Sequence, residues 1–146
     1  NKDVLKFLKD LIKDYRSYTL SFPSFINTKE LQKEFLSAFY DDEGSVPLRI
    51  FKKTGEIKRN ISLSSNSEEL LKEIKEILKN NFEINSNKII QYIKMRDQKQ
   101  FTNYLLNITG KTNLDKFKEK INFTHPDKKE RLELTVNSYK RLASTI

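Results

Sequence analysis

With 146 residues the chain can form one domain with its own core, and its 28 Lys+Arg against 20 Asp+Glu leave a net charge of +8. That surplus favours a polyanionic partner without naming one. The absence of cysteine excludes a disulfide framework and a thiolate metal site and fits a reducing, cytoplasmic setting, and no apolar run approaches the roughly 18 residues of a membrane span.

Residues 3–15 read as an amphipathic helix, with Val4, Leu8, Leu11, Ile12 and Tyr15 on one face and Lys2, Lys6, Lys9 and Lys13 largely opposite. A connector follows to residue 26, in which Pro23 forbids helix continuation. Residues 1–26 are therefore set apart from a main unit spanning residues 27–146.

A second helix is predicted to start at Asn27, which has capping-box spacing to Glu30, and to run to about Glu43. Leu31, Phe35, Leu36 and Phe39 are its apolar positions. Glu34, Ser37, Ala38 and Asp41 form another stripe with two small residues at its middle, where a second backbone could approach. The helix ends on Asp41, Asp42 and Glu43, three carboxylates where the macrodipole disfavours negative charge. Gly44 is predicted to take the left-handed conformation just past the end. Carboxylates so placed point to a purpose other than helix stability, and hard oxygens at a fixed position suit Mg²⁺ or Ca²⁺.

Two strands are predicted next, over residues 46–51 and 56–64, joined by a turn at Thr54-Gly55. Alternation places Val46, Leu48, Ile50, Ile57, Ile61 and Leu63 on a buried face. The opposite face carries Arg49, Phe51, Lys53, Lys58, Asn60, Ser62 and Ser64, donors and acceptors of the kind that contact phosphates and base edges. Arg59 breaks the alternation. Ser67 caps a third helix with Leu70, Leu71, Ile74, Ile77 and Leu78 buried.

A second hairpin repeats the pattern. Ile89, Ile93, Met95, Tyr104, Leu106 and Ile108 face inward; Lys88, Ile90, Tyr92, Lys94, Arg96, Phe101, Asn103, Leu105 and Asn107 face outward, with a turn at Asp97-Gln98-Lys99. Two hairpins that are apolar inside and mostly basic and polar outside favour a nucleic-acid-binding sheet. Gly110 ends the strand. Thr112 with Asp115, and Thr124 with Asp127, have capping-box spacing for two last helices, the second with Pro126 in its first turn. The single histidine, His125, reads as structural, and with three glycines the chain has no glycine-rich phosphate loop.

This α+β order resembles one αββαββα repeat of the LAGLIDADG homing endonucleases, with flanking N-terminal and C-terminal helices. The motif maps onto Leu36-Ser37-Ala38-Phe39-Tyr40-Asp41-Asp42-Glu43-Gly44, followed by Ser45-Val46. Phe22-Pro23-Ser24-Phe25-Ile26, Ile108-Thr109-Gly110-Lys111 and Phe123-Thr124-His125-Pro126-Asp127-Lys128-Lys129 resemble the intein-type and archaeal branch. The resemblance covers about residues 22–142.

The resemblance implies a concrete machine. Two motif helices would pack through the Ser37, Ala38 and Asp41 stripe. Glu43 would be the catalytic carboxylate and Mg²⁺ ligand at the shared site. Lys128 would stabilise charge there, with Lys129 and Lys111 as alternates. The saddle-shaped antiparallel sheet would lie in the major groove of duplex DNA, read by Ser45, Arg49, Phe51, Lys53, Lys58, Asn60, Ser62, Ser64, Lys88, Tyr92, Lys94, Arg96, Asn103 and Asn107. Ser65 stands nearest to a polar residue that positions water in the family, and Asp42 replaces a usually small residue. One motif implies either a homodimer or a first repeat lying before Asn1. The alternative is a DNA- or RNA-binding module on the same fold that does not cleave, a regulator or splicing maturase.

Overall fold

The computed structural model describes residues 22–144; the helix expected over residues 3–15 lies outside these. The chain is mixed α+β. Helix α1 (Lys29–Glu43) leads into strand β1 (Gly44–Ser45), a small ribbon of β2 (Arg49–Ile50) and β3 (Ile57–Lys58), and then β4 (Asn60–Ser65). Helix α2 (Glu68–Phe82), the hairpin β5 (Ile90–Arg96) and β6 (Lys99–Thr109), α3 (Lys111–Lys120) and α4 (Pro126–Ser144) complete it. The main sheet is antiparallel in the order β1-β4-β6-β5. The helix–hairpin–helix–hairpin–helix order matches the expectation.

The core lies between the helices and β4 and β6. Phe35, Leu36 and Tyr40 of α1, Leu70, Leu71, Ile74 and Leu78 of α2, and Ile61, Leu63, Leu106 and Ile108 of the sheet are wholly buried. Tyr40 meets the Phe117 ring edge-on at 4.8 Å, and Phe117 lies 5.4 Å from Phe123, so α3 and the α3–α4 connection close over the motif helix. Among the described residues no helix is long and apolar enough to cross a membrane.

Local chemistry explains several departures from the expected elements. A turn closed by Ile26 N donating to Pro23 O (3.0 Å) seats Ile26 in the core, and α1 starts later than expected. Thr28, not Asn27, is its cap, its hydroxyl accepting from Leu31 N at 3.2 Å. The expected strand over 46–51 is broken because Pro47 has no N–H to donate and Leu48 N bonds back to Val46 O at 2.9 Å. The ribbon β2–β3 thus leaves the main sheet, and Ile50 is 66% exposed rather than buried. Arg59, between β3 and β4, lies over the Tyr139 ring at 4.5 Å and donates to Ser138 Oγ at 2.6 Å.

Ser67 caps α2 as expected, its Oγ accepting from Leu70 N at 3.2 Å. Asp97 and Gln98 form the β5–β6 turn, both at positive φ (51° and 64°), which suits a two-residue hairpin. Ile93 and Met95 are nevertheless 64% and 60% exposed, because β5 is the outer strand of the sheet. The capping box expected at Thr112 is absent: Gly110 precedes α3, and Asp115 pairs with Lys111 at 2.9 Å.

Candidate functional site

The acidic end of α1 is built from two helix termini that meet. The Asp41 carboxylate accepts from Thr124 N (2.9 Å), His125 N (3.0 Å) and the Thr124 hydroxyl, so it caps the start of α4. In return the Lys128 ammonium donates to the Asp41 main-chain carbonyl at the end of α1. A negative charge at one N-terminus and a positive charge at one C-terminus are both favourable, which removes the apparent penalty at this carboxylate. The Thr124–Asp127 capping box is not formed, because Thr124 is turned toward Asp41. Lys128, expected as a charge stabiliser, is held at the α1 terminus, where its ammonium meets the carbonyl two residues before Glu43.

Gly44 does not adopt the predicted left-handed conformation. Its backbone is extended (φ −88°, ψ 163°) and its N–H bonds Tyr40 O. Glycine is required there for space: a Cβ would lie 2.6 Å from Tyr40 O and 2.8 Å from Tyr40 Cδ1. Burial pushes the Tyr40 phenol well above its ordinary range, and its hydroxyl has no hydrogen-bond partner.

The small residues at the middle of the stripe are buried. Ser37 and Ala38 are 5% and 0% exposed, and Ser37 Oγ donates to Asn122 O at 2.8 Å. Among the described residues the middle of the stripe is thus covered, while Glu34 is exposed and Asp41 half-buried at its two ends.

Glu43, half-buried, opens onto a cleft of about 440 Å³ between the end of α1 and the sheet. Its walls bring together Glu43, Ser64, Tyr92, Lys94, Arg96 and Asn103, all expected site residues. They converge because cross-strand register places Tyr92 opposite Asn103 and Lys94 opposite Phe101 on one face. Phe39, Ser65, Asn66 and Phe101 also line it. The resemblance points to Ser65 and outward parity to Phe101, whereas Phe39 reads from sequence as core and Asn66 sits in a loop without periodic signal.

The remaining polar face divides in two. Near the end of α1, Ser45 pairs with Ser62 and Ser62 with Asn107 across β1, β4 and β6. Asn60, expected in contact with a ligand, is only 3% exposed and is withdrawn from the surface. Its Nδ2 donates to Ser62 Oγ (2.8 Å) and Asn107 Oδ1 (3.2 Å), and Ser62 Oγ donates to Asn107 Oδ1 (2.6 Å). On the β2–β3 ribbon, Arg49 lies directly opposite Lys58, both exposed, with Phe51 and Lys53 exposed beyond them. Arg96 likewise faces Lys99 beside the β5–β6 turn. Like charges directly opposite destabilise a strand pair, so an anion at either tip would relieve repulsion. Lys88 is exposed but precedes β5.

Among the described residues no group of three or more His, Cys, Asp or Glu side chains could hold a metal ion. Mg²⁺, however, commonly uses one or two carboxylates together with substrate phosphate oxygens and water. Glu43 fits one such ligand, at the edge of a cleft whose Lys94 and Arg96 suit a phosphate.

Residues 30–122 match the protein family described as "LAGLIDADG-like domain". Over 141 residues, 95% of its length, the chain is 32% identical to a protein of Methanocaldococcus jannaschii named "Probable translation initiation factor IF-2". It spans only 11% of that protein.

Proposed function

The chain belongs to the LAGLIDADG family, and from that premise we propose that it is a site-specific DNA endonuclease. The observation that carries the reading is the cleft, where one helix-end carboxylate, Glu43, faces Lys94, Arg96, Tyr92 and Asn103. Lys94 and Arg96 neutralise backbone phosphates, while the exposed cations of the β2–β3 ribbon extend the same face. Glu43 is the ligand this chain offers to Mg²⁺, which when bound supplies Lewis-acid polarisation of a phosphate oxygen. Asp41 and Lys128 hold the end of α1, and with it Glu43, against α4; Lys128 is thus a positioning residue. Ser65 and Asn66 line the cleft, and their polar side chains are the groups that would hydrogen-bond a water there.

A second carboxylate completes the site, from a second copy of this chain or from a preceding repeat. The 11% share of the translation-factor relative fits an endonuclease segment carried inside a longer host chain. The test is Glu43→Gln, assayed on a plasmid library with randomised inserts in Mg²⁺. Cutting should fall by about a hundredfold or more while duplex affinity changes little. Unchanged cutting would remove Glu43 from the chemistry.

The single cleft carboxylate among the described residues also favours a second reading, a DNA- or RNA-binding module without cleavage. It predicts salt-sensitive binding with no Mg²⁺-dependent nicking by the unmodified chain.

A further inference from the structure

The polar row nearest the end of α1 contains an amide whose hydrogen-bonding sense is fixed by its neighbours. Asn107 Oδ1 accepts from Ser62 Oγ at 2.6 Å and from Asn60 Nδ2 at 3.2 Å, which uses both of its lone pairs. Asn60 is itself 3% exposed and Ser62 is half-buried, so this support is rigid. Turning both amides over would place the two N–H groups of Asn60 where its Oδ1 now lies, a buried position without a partner. That exchange trades one orphan acceptor for two orphan donors, and the observed sense is the favoured one. Asn107 is half-buried on the polar face, in register with Ser62, and Ser62 is in register with Ser45, two residues beyond Glu43.

We infer that Asn107 is a donor-only reader of the base pair beneath it and selects guanine over adenine. The inference rests on the DNA-binding reading above. An asparagine with both amide atoms available pairs with adenine, donating to N7 and accepting from N6. Asn107 has only its Nδ2–H₂ to offer. Guanine presents two acceptors in the major groove, N7 and O6, whereas adenine places a donor at N6 against a donor. The position of Asn107 in the row of Ser45 assigns the selected base to the part of the polar face beside the strand that follows Glu43, outside the cleft lining. Lys94, Arg96 and the paired cations of the ribbon give affinity without this choice.

The experiment is enrichment of bound sequences from a pool of random duplexes by the full chain, at low salt and without Mg²⁺. Wild type should give a column in which guanine exceeds adenine about tenfold. Asn107→Ala should flatten that column and leave the others. Asn107→Asp keeps both hydrogen bonds from Ser62 and Asn60 but offers an acceptor, so the column should move to cytosine, whose N4 donates. Because Asn107→Asp preserves the support, a base change separates readout from misfolding. If neither variant alters any column, or the affected column holds adenine, the inference is overturned while DNA recognition stands. If wild type enriches no sequence at all, sequence-specific recognition fails and the inference with it.

Discussion

Gly44 shows how a single residue fixes the end of the motif helix. Any side chain there meets Tyr40 O at 2.6 Å, and backbone cannot swing aside as a flexible side chain can. Gly44→Ala is therefore expected to destabilise by about 1–3 kcal/mol, the range of overpacking in a filled core. Urea denaturation should show a lower midpoint at unchanged slope; an unchanged midpoint would contradict the packing argument. The sequence makes a glycine after a helix look like a left-handed cap. Its real constraint comes from the carbonyl and ring of Tyr40, one helical turn earlier, and no local pattern encodes how tightly that ring is held by Phe117 and Phe123. Asn60 is the same lesson in reverse. Its alternation places it correctly on the polar face, but only the meeting of β4 with Asn107 of β6 buries it.

Between elements, the clasp of α1 with α4 is the contact with most leverage on the site. Asp41→Ala removes the acceptor of two backbone N–H groups and the Thr124 hydroxyl, and should lower stability by about 1–2 kcal/mol, as loss of a helix cap does. Hydrogen exchange should show faster exchange of the Thr124 and His125 amides, with α2 amides changed little; uniform acceleration across the chain would mean general unfolding instead. Most elements were legible: the stripes of α1 and α2, the Ser67 cap, the Asp97-Gln98 turn and the outward parity of the β5–β6 hairpin follow from periodicity and turn chemistry. The cover over each face was not. Ile50, Ile93 and Met95 alternate as buried residues do, yet the ribbon and the outer strand extend where none of the described helices shields them. Capping boxes failed at Thr112 and Thr124 because the side chain or the backbone group found a different partner, and such competition is decided by tertiary contact.

At the scale of the molecule, the described residues of a 17.3 kDa chain bring one carboxylate, Glu43, to the cleft. Light scattering with duplex DNA and Mg²⁺ is expected to give two copies per duplex, hence a protein mass of twice that value. One copy per duplex would instead assign the missing carboxylate to a preceding repeat in a longer chain. The resemblance of residues 22–142 and the match over 30–122 agree on the fold, while the assembly depends on surfaces that periodicity does not rank. The outer strand β5 has a consequence of its own. Six of its seven residues are exposed and only Tyr92 is half-buried, so substitutions along it cost about 0.5 kcal/mol or less in stability. Lys94 and Arg96 stand on that strand, whereas Glu43 stands on a helix rooted in the core. What the protein recognises can therefore drift from one lineage to the next without endangering how it folds, and a new target can be reached through a series of intermediates that all remain folded.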